Sequence, residues 1–241
     1  MRSLKFHACF LLAVNLLFCA STETRPREAD YVTARATRDG IGKLYFGREI
    51  AQVMGHQGAG WLERPGREEE ERTDLLVESL SLRAGDVVAD IGAGTGYFSW
   101  RIAQRVGPTG KVYAVEIQQE MLDLLMGNMR QRQVSAIVQP TLGTVQDPRL
   151  PAGAVDLILV VDVYHELDFP FEMTRAMLAG LKPGGRLVLV EYRGEDPAVA
   201  IKPLHKMTVA QVRKEMSVHP VDFDRSVEIL PQQHILVFKK R

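Results

Sequence analysis

Cysteine is nearly absent from this 241-residue chain: the two present, Cys9 and Cys19, both lie in the first twenty residues. A chain that has lost that stretch has no disulfide, no thiolate nucleophile and no cysteine metal site. Neither sign of charge is in surplus, since 30 Lys and Arg stand against 30 Asp and Glu. That argues against a general nucleic-acid binder, which carries a basic excess, and leaves room only for a local basic patch. Long apolar runs are missing apart from residues 8–20, a run broken by Asn15 and shorter than the ~20 residues of a membrane-spanning helix. With 46% apolar and 25% charged residues, the composition is that of a folded globule, which excludes disorder, collagen and a polytopic membrane protein. No internal repeat is visible.

The one apolar run comes after Arg2 and Lys5 and ends at Ala20-Ser21 between small residues, the pattern of a secretory signal peptide. Export is therefore expected, to a periplasmic or secreted location, with cleavage near Ser21 and no stable membrane span afterwards. A membrane tether and a cytoplasmic protein are the alternatives. Residues 22–65 read as a linker and then an N-terminal lid or cap, polar at first and then rich in glycine beside Tyr45, Phe46, His56 and Trp61. Residues 66–241 read as the main domain.

Leu75, Leu76 and Leu80 at helical spacing predict a helix over 68–80. From there short apolar runs alternate with amphipathic stretches. Strands are expected at 87–90, 111–116, 136–139, 154–162 and 186–191, and helices at 98–106, 119–133, 169–181 and 208–216. Two more strands are expected at 227–230 and 234–238. Near-continuous apolar strands separated by helices mean an α/β domain, a doubly wound parallel sheet covered on both faces.

Between the first of these strands and its helix stands Asp90-Ile91-Gly92-Ala93-Gly94-Thr95-Gly96. Such a turn lies at the switch point where open sheets bind ligands. A dinucleotide fingerprint needs its third glycine at position 97, and that residue is Tyr97. No Walker lysine comes after it, which argues against a nucleoside triphosphate. Glu116 ends the next strand, twenty residues after Gly96, where a carboxylate accepts hydrogen bonds from both hydroxyls of a ribose.

The stretch Val88-Ala89-Asp90-Ile91-Gly92-Ala93-Gly94-Thr95-Gly96-Tyr97-Phe98 resembles motif I of the class I S-adenosylmethionine-dependent methyltransferases. Val112-Tyr113-Ala114-Val115-Glu116 resembles their second motif, and Asp156-Leu157-Ile158-Leu159-Val160 and Leu181-Lys182-Pro183-Gly184-Gly185-Arg186-Leu187 resemble the later ones. The resemblance implies a seven-stranded Rossmann-like sheet with the last strand antiparallel, and S-adenosylmethionine as cofactor. It implies that Gly92, Gly94 and Gly96 back the methionine and ribose, that Asp90 sits near the amino group, that Glu116 holds the ribose diol and that Ile117 packs on adenine. Asp147 becomes the candidate for the adenine amine, although residues 141–153 are too rich in proline and glycine for the usual third helix. Asp162, at the end of the fourth strand, is a further cofactor candidate.

The acceptor end is read from the loops after the fourth and fifth strands. His165, with Tyr164 beside it, is the candidate general base, because histidine titrates near neutrality. Arg193, His205 and Lys206 suit an anionic acceptor, and His56 lies in the segment that would close the mouth. No metal is expected, and the expected partner is a small-molecule methyl acceptor. A protein methyltransferase and a non-catalytic cofactor-binding domain are the competing readings.

Overall fold

The computed structural model describes residues 31–241. The expected signal peptide, 1–21, and the first part of the expected linker lie outside the described residues. Residues 31–51, which span the end of the expected linker and the start of the expected lid or cap, form a small antiparallel sheet: β1 (Tyr31–Thr33), β2 (Gly40–Tyr45) and β3 (Arg48–Ala51) in that spatial order. Phe46 and Gly47, both at positive φ (51° and 90°), make a two-residue hairpin turn whose twist matches the strands it joins. Tyr45 and Ile50 are fully buried and pack with Phe171, so the sheet is anchored on the main domain.

Beyond it come α1 (Ala59–Leu62), α2 (Arg67–Glu71) and α3 (Thr73–Ser79). The single helix expected over 68–80 is two. Arg72 at φ 51° breaks it, and Glu71 turns inward to 2% exposure, where Arg64, Arg67 and Tyr192 bind its carboxylate.

The main domain alternates as β4 (Val87–Ile91), α4 (Tyr97–Val106), β5 (Lys111–Glu116), α5 (Gln119–Gln131), β6 (Val138–Leu142), β7 (Val155–Val161), α6 (Pro170–Gly180), β8 (Leu181–Tyr192), α7 (Val209–Met216), β9 (Val221–Val227) and β10 (Gln233–Lys240). The seven strands run in the order β6-β5-β4-β7-β8-β10-β9. The first five pair in parallel, and β10, the last in the chain, is antiparallel to both β8 and β9. This is the expected seven-stranded doubly wound α/β sheet. Strand periodicity sends alternate residues to opposite faces. Val88, Val112, Leu157, Val188 and Ile235 pack under α3, α4 and α5, while Ala89, Tyr113, Ile158, Leu189 and Leu236 pack against α6 and α7.

Three boundaries differ from the sequence reading. β9 lies six residues earlier than expected, because the charges of Asp222, Asp224 and Arg225 mask it. Such charges suit an edge strand, which must repel further pairing. β6 is also an edge and tolerates Pro140 there. β8 begins at Leu181 and carries Lys182-Pro183-Gly184-Gly185 within it, at the cost of a register shift against β7. Among the described residues, no helix is long and apolar enough to cross a membrane.

Candidate functional site

The carboxyl ends of β4, β5, β7 and β8 open into one cleft of about 630 Å³, with residues 52–54, Trp61 and Leu62 on its far side. The glycine turn after β4 forms one wall. Gly92 (φ 69°) and Gly94 (φ 53°) both hold conformations that a side chain resists. A Cβ on Gly92 would stand 2.5 Å from Val163 Cγ2, and one on Gly94 2.5 Å from Leu62 Cδ1. Gly96 is a packing position and not part of the cleft wall: a Cβ there would strike Met129 Cε at 2.6 Å, on α5.

Glu116 sits at the end of β5, 7% exposed. Its Oε1 accepts from the backbone N–H groups of Ile117 (2.6 Å) and Gln118 (3.1 Å), and its Oε2 from that of Gly94 (3.2 Å). Burial still raises its pKa above the ordinary carboxylate value, against the pull of those three donors. Asp90 accepts from Ser99 Oγ at 2.6 Å, and burial lifts its pKa to about 6, with the Ser99 hydrogen bond and Arg67 opposing. Asp162 follows β7 at φ 53°. Its Oδ2 accepts from Gln233 Nε2 (2.7 Å), while its buried Oδ1 has no hydrogen-bond partner. Burial, then Glu71 and Glu191, push its pKa well up. A buried acceptor without a donor is costly, and Asp162 Oδ1, alone among these three carboxylates, is one; it suits a ligand group that donates a hydrogen bond.

Ile117 and Val145, each 38% exposed, give the same cleft an apolar slot beside Glu116. Asp147 is not there. Its Oδ1 accepts from the Arg149 N–H and its own N–H donates to Thr144 Oγ1, so it shapes an exposed turn, as short polar side chains do. Of the two, Val145 lines the cleft and Asp147 does not.

His165 lies in the turn after β7, 1% exposed, and lines the cleft. Its Nδ1 is 2.5 Å from Glu191 Oε2 at the end of β8, and its Nε2 is 3.2 Å from His205 Nδ1. His205 Nδ1 is also 3.2 Å from Glu166 Oε1. The ligand-type atoms of His165, Glu166 and His205 all lie within 4.8 Å of one another. Arg48 of β3 supports this end from behind: its Nη1 donates to the His165 carbonyl, and its other nitrogens grip the fully buried Glu215 of α7.

Tyr164, paired with His165 in the sequence reading, is fully buried outside the cleft, and its hydroxyl has no partner. Burial pushes its phenol pKa well up, so it holds its proton and has no access to a ligand. Arg193 donates to the Leu230 and Pro231 carbonyls and to Glu228, and Lys206 donates to the Asp196 and Val199 carbonyls. Both hold loops together and neither lines the cleft. His56 meets the site through its backbone N–H, which donates to Gln118 Oε1, and its ring is not on the wall. The basic residue at the mouth is Lys202, paired with Asp39 at 2.7 Å.

Residues 52–63 are tied to both walls. Met54 N–H donates to Glu166 Oε2, Gln118 Nε2 donates to the Met54 carbonyl, and Thr95 Oγ1 donates to Glu63 Oε1. Gln118, Glu166 and Glu191 were missed as site residues. Glu166 and Glu191 stand next to motif residues, but only the fold sets them beside His165 and His205.

A family described as a methyltransferase domain matches residues 88–185. Among curated relatives, the ubiquinone/menaquinone biosynthesis C-methyltransferase UbiE of Pseudomonas putida is 30% identical over 118 residues, which are 49% of this chain and 46% of that one. The chain thus aligns with about half the length of the relatives it matches. A solved S-adenosylmethionine-dependent methyltransferase from Aquifex aeolicus superposes with a TM-score of 0.73 at 21% identity, over 78% of this chain and all of that one. The [4+2]-cyclase SpnF superposes with a TM-score of 0.61 at 18% identity, over 74% and 84%. At these identities the structural likeness is one of fold alone.

Proposed function

We propose, from the premise that the domain at residues 88–185 belongs to the class I S-adenosylmethionine-dependent methyltransferases, that the protein methylates a small-molecule acceptor held at the His165 end of the cleft. The observation that carries this reading is the continuity of one cleft from Glu116 and Asp162 to His165 and His205. S-adenosylmethionine is that family's cofactor, and the residues present fit it. The unpartnered Asp162 Oδ1 and the buried Asp90 suit the ammonium of its methionine part. Glu116 would take the ribose hydroxyls, and Ile117 and Val145 would offer an apolar slot to the adenine. When bound, the cofactor supplies a methyl group on a sulfonium sulfur.

The chain's own contribution is to bind, orient and exclude water. Gln118 and Glu166 hold residues 52–56 over the cleft, and Leu62 rests on Gly94. His165, locked by Glu191 and backed by Arg48, presents Nε2 toward the acceptor end with little freedom to swing. The volume, about 630 Å³, falls in the range of small-molecule sites. A polypeptide acceptor would have to displace a roof tied to both walls. The UbiE relatives, by name C-methyltransferases of quinone biosynthesis, fit a small acceptor as well.

The test is incubation of the purified chain with methyl-labelled cofactor and a small-molecule extract of its host. A labelled low-mass product is expected. Label confined to proteins would move the reading to a protein methyltransferase. Binding of S-adenosylhomocysteine without any label would leave a binding domain.

A further inference from the structure

We infer that His165 Nε2, Glu166 Oε1 and His205 Nδ1 form a binding site for one divalent transition-metal ion, which in turn takes an oxygen of the acceptor. The inference deepens the proposed function and rests on it only for the word acceptor.

The geometry comes first. The three atoms are separated by 3.2 Å (His165–His205), 3.2 Å (His205–Glu166) and 3.8 Å (His165–Glu166). Atoms so spaced share a point about 2.0 Å from each of them, within the ~2.0–2.2 Å of zinc–imidazole and zinc–carboxylate bonds. Glu191 Oε2 lies 2.5 Å from His165 Nδ1 and occupies that side of the ring, so Nε2 is the nitrogen turned to His205 and Glu166. His165 Nε2, Glu166 Oε1 and His205 Nδ1 are three ligand-type atoms within 4.8 Å of one another, an arrangement that a single cation fills.

The surroundings are those of a ligated metal. A metal-binding histidine gives its other N–H to a carboxylate that fixes the ring, and Glu191 is fully buried in that position. Met54 N–H holds Glu166 through Oε2, which leaves Oε1 turned to the two imidazoles, and Arg48 fixes the His165 backbone. Glu166 and Glu191 together offset a 2+ charge in a place poor in water. Two imidazoles with one carboxylate select zinc, iron, nickel or copper over magnesium and calcium, which take oxygen ligands. Three protein ligands leave a coordination position open, as at zinc sites that bind water or substrate. All three residues line the same cleft as Gly92, Gly94 and Glu116, so that position is open to the acceptor. The acceptor class implied is one presenting a hydroxyl or other oxygen donor, which a bound cation acidifies.

The experiment uses the untagged full-length chain, stripped with EDTA and titrated with Zn(II) and Co(II) against a chromophoric chelator. One equivalent per chain is expected. His205→Ala and Glu166→Gln are each expected to weaken binding at least tenfold while melting normally by circular dichroism. Equal binding by the wild type and both variants would mean an adventitious ion only, and no binding would overturn the site outright. Addition of acetohydroxamate, a small oxygen chelator, is expected to shift the visible spectrum of the Co(II) protein. An unchanged spectrum would mean a closed site and would overturn the acceptor part. Titration of the same samples with S-adenosylhomocysteine keeps the two readings apart. Metal without cofactor binding sinks the proposed function, and cofactor without metal sinks this inference.

Discussion

Asp90 and Glu116 are charged groups kept where charge is expensive. The unfolded chain ionises Asp90 near its ordinary value of 3.8, and the folded chain only at about 6. Between those values the folded state holds the extra proton. The stability from neutral Asp90 is therefore complete below pH ~4 and is lost as pH rises through about 6, an effect of about 3 kcal/mol. Asp90→Asn keeps the neutral form, so the ligand-free variant is expected to unfold at higher denaturant than wild type at pH 7.5, and at the same denaturant near pH 4. Cofactor binding should show the opposite sense. An ammonium partner needs the ionised carboxylate, so S-adenosylhomocysteine affinity is expected to tighten as pH rises through about 6 in the wild type and to stay flat in Asp90→Asn. Calorimetry across that range checks it, and parallel curves for the two proteins would remove Asp90 from the site. Glu116→Ala is expected to cost at least tenfold in affinity, since a hydrogen bond to a charged group contributes roughly 1.5–3 kcal/mol. An unchanged dissociation constant would place the ribose elsewhere.

At the scale of elements, the N-terminal segment and the turn after β7 depend on each other. Gln118 secures that segment by accepting from His56 N–H and donating to the Met54 carbonyl, 2.8 and 3.0 Å. Removing both bonds in Gln118→Ala leaves Met54 N–H on Glu166 as the tie on that side. We expect S-adenosylhomocysteine to dissociate several-fold faster from this variant, with protease cleavage appearing between residues 52 and 58, because the losses of ~1 kcal/mol per bond fall on the roof alone. An unchanged off-rate would mean that the roof does not retain the cofactor. The same elements show what was legible beforehand. β4, β5, β7 and β8 were readable because strands buried on both faces are continuous apolar runs, and the glycine turn because its spacing is local. β1 to β3 were not: Gly40, Gly42 and Gly47 argue for irregular chain, and the strands are short and half-exposed. Arg72 gave no sign of breaking a helix. Asp147 is a candidate only through the family resemblance, which asks for an acidic residue after the third strand, whereas the structure puts its side chain in an exposed turn and Val145 on the cleft. Tyr164 and His165 are adjacent in sequence, yet only one can face the cleft.

The whole molecule closes its cleft between two parts that few local signals connect, the roof at residues 52–63 and the sheet behind it. A ligand filling that cleft would touch both. We propose, separately, that residues 1–21 direct export, and N-terminal sequencing from the native host is expected to start within a few residues of Thr22; intact Met1 in the cytosolic fraction would overturn that. Linkage gives the last expectation. A ligand that binds only the folded chain adds about 2.7 kcal/mol of stability at a concentration a hundred times its dissociation constant. For a domain of this size each kcal/mol moves the melting temperature by about 2–4 °C. S-adenosylhomocysteine at that concentration should therefore raise melting by about 5–10 °C. In Glu116→Ala the same concentration is at most about ten times the weakened constant, worth about 1.4 kcal/mol, so the rise should fall to half or less. Scanning calorimetry with and without ligand measures both. Equal shifts in the two proteins would show that the ligand is held by surfaces other than the β4–β5 end of the sheet.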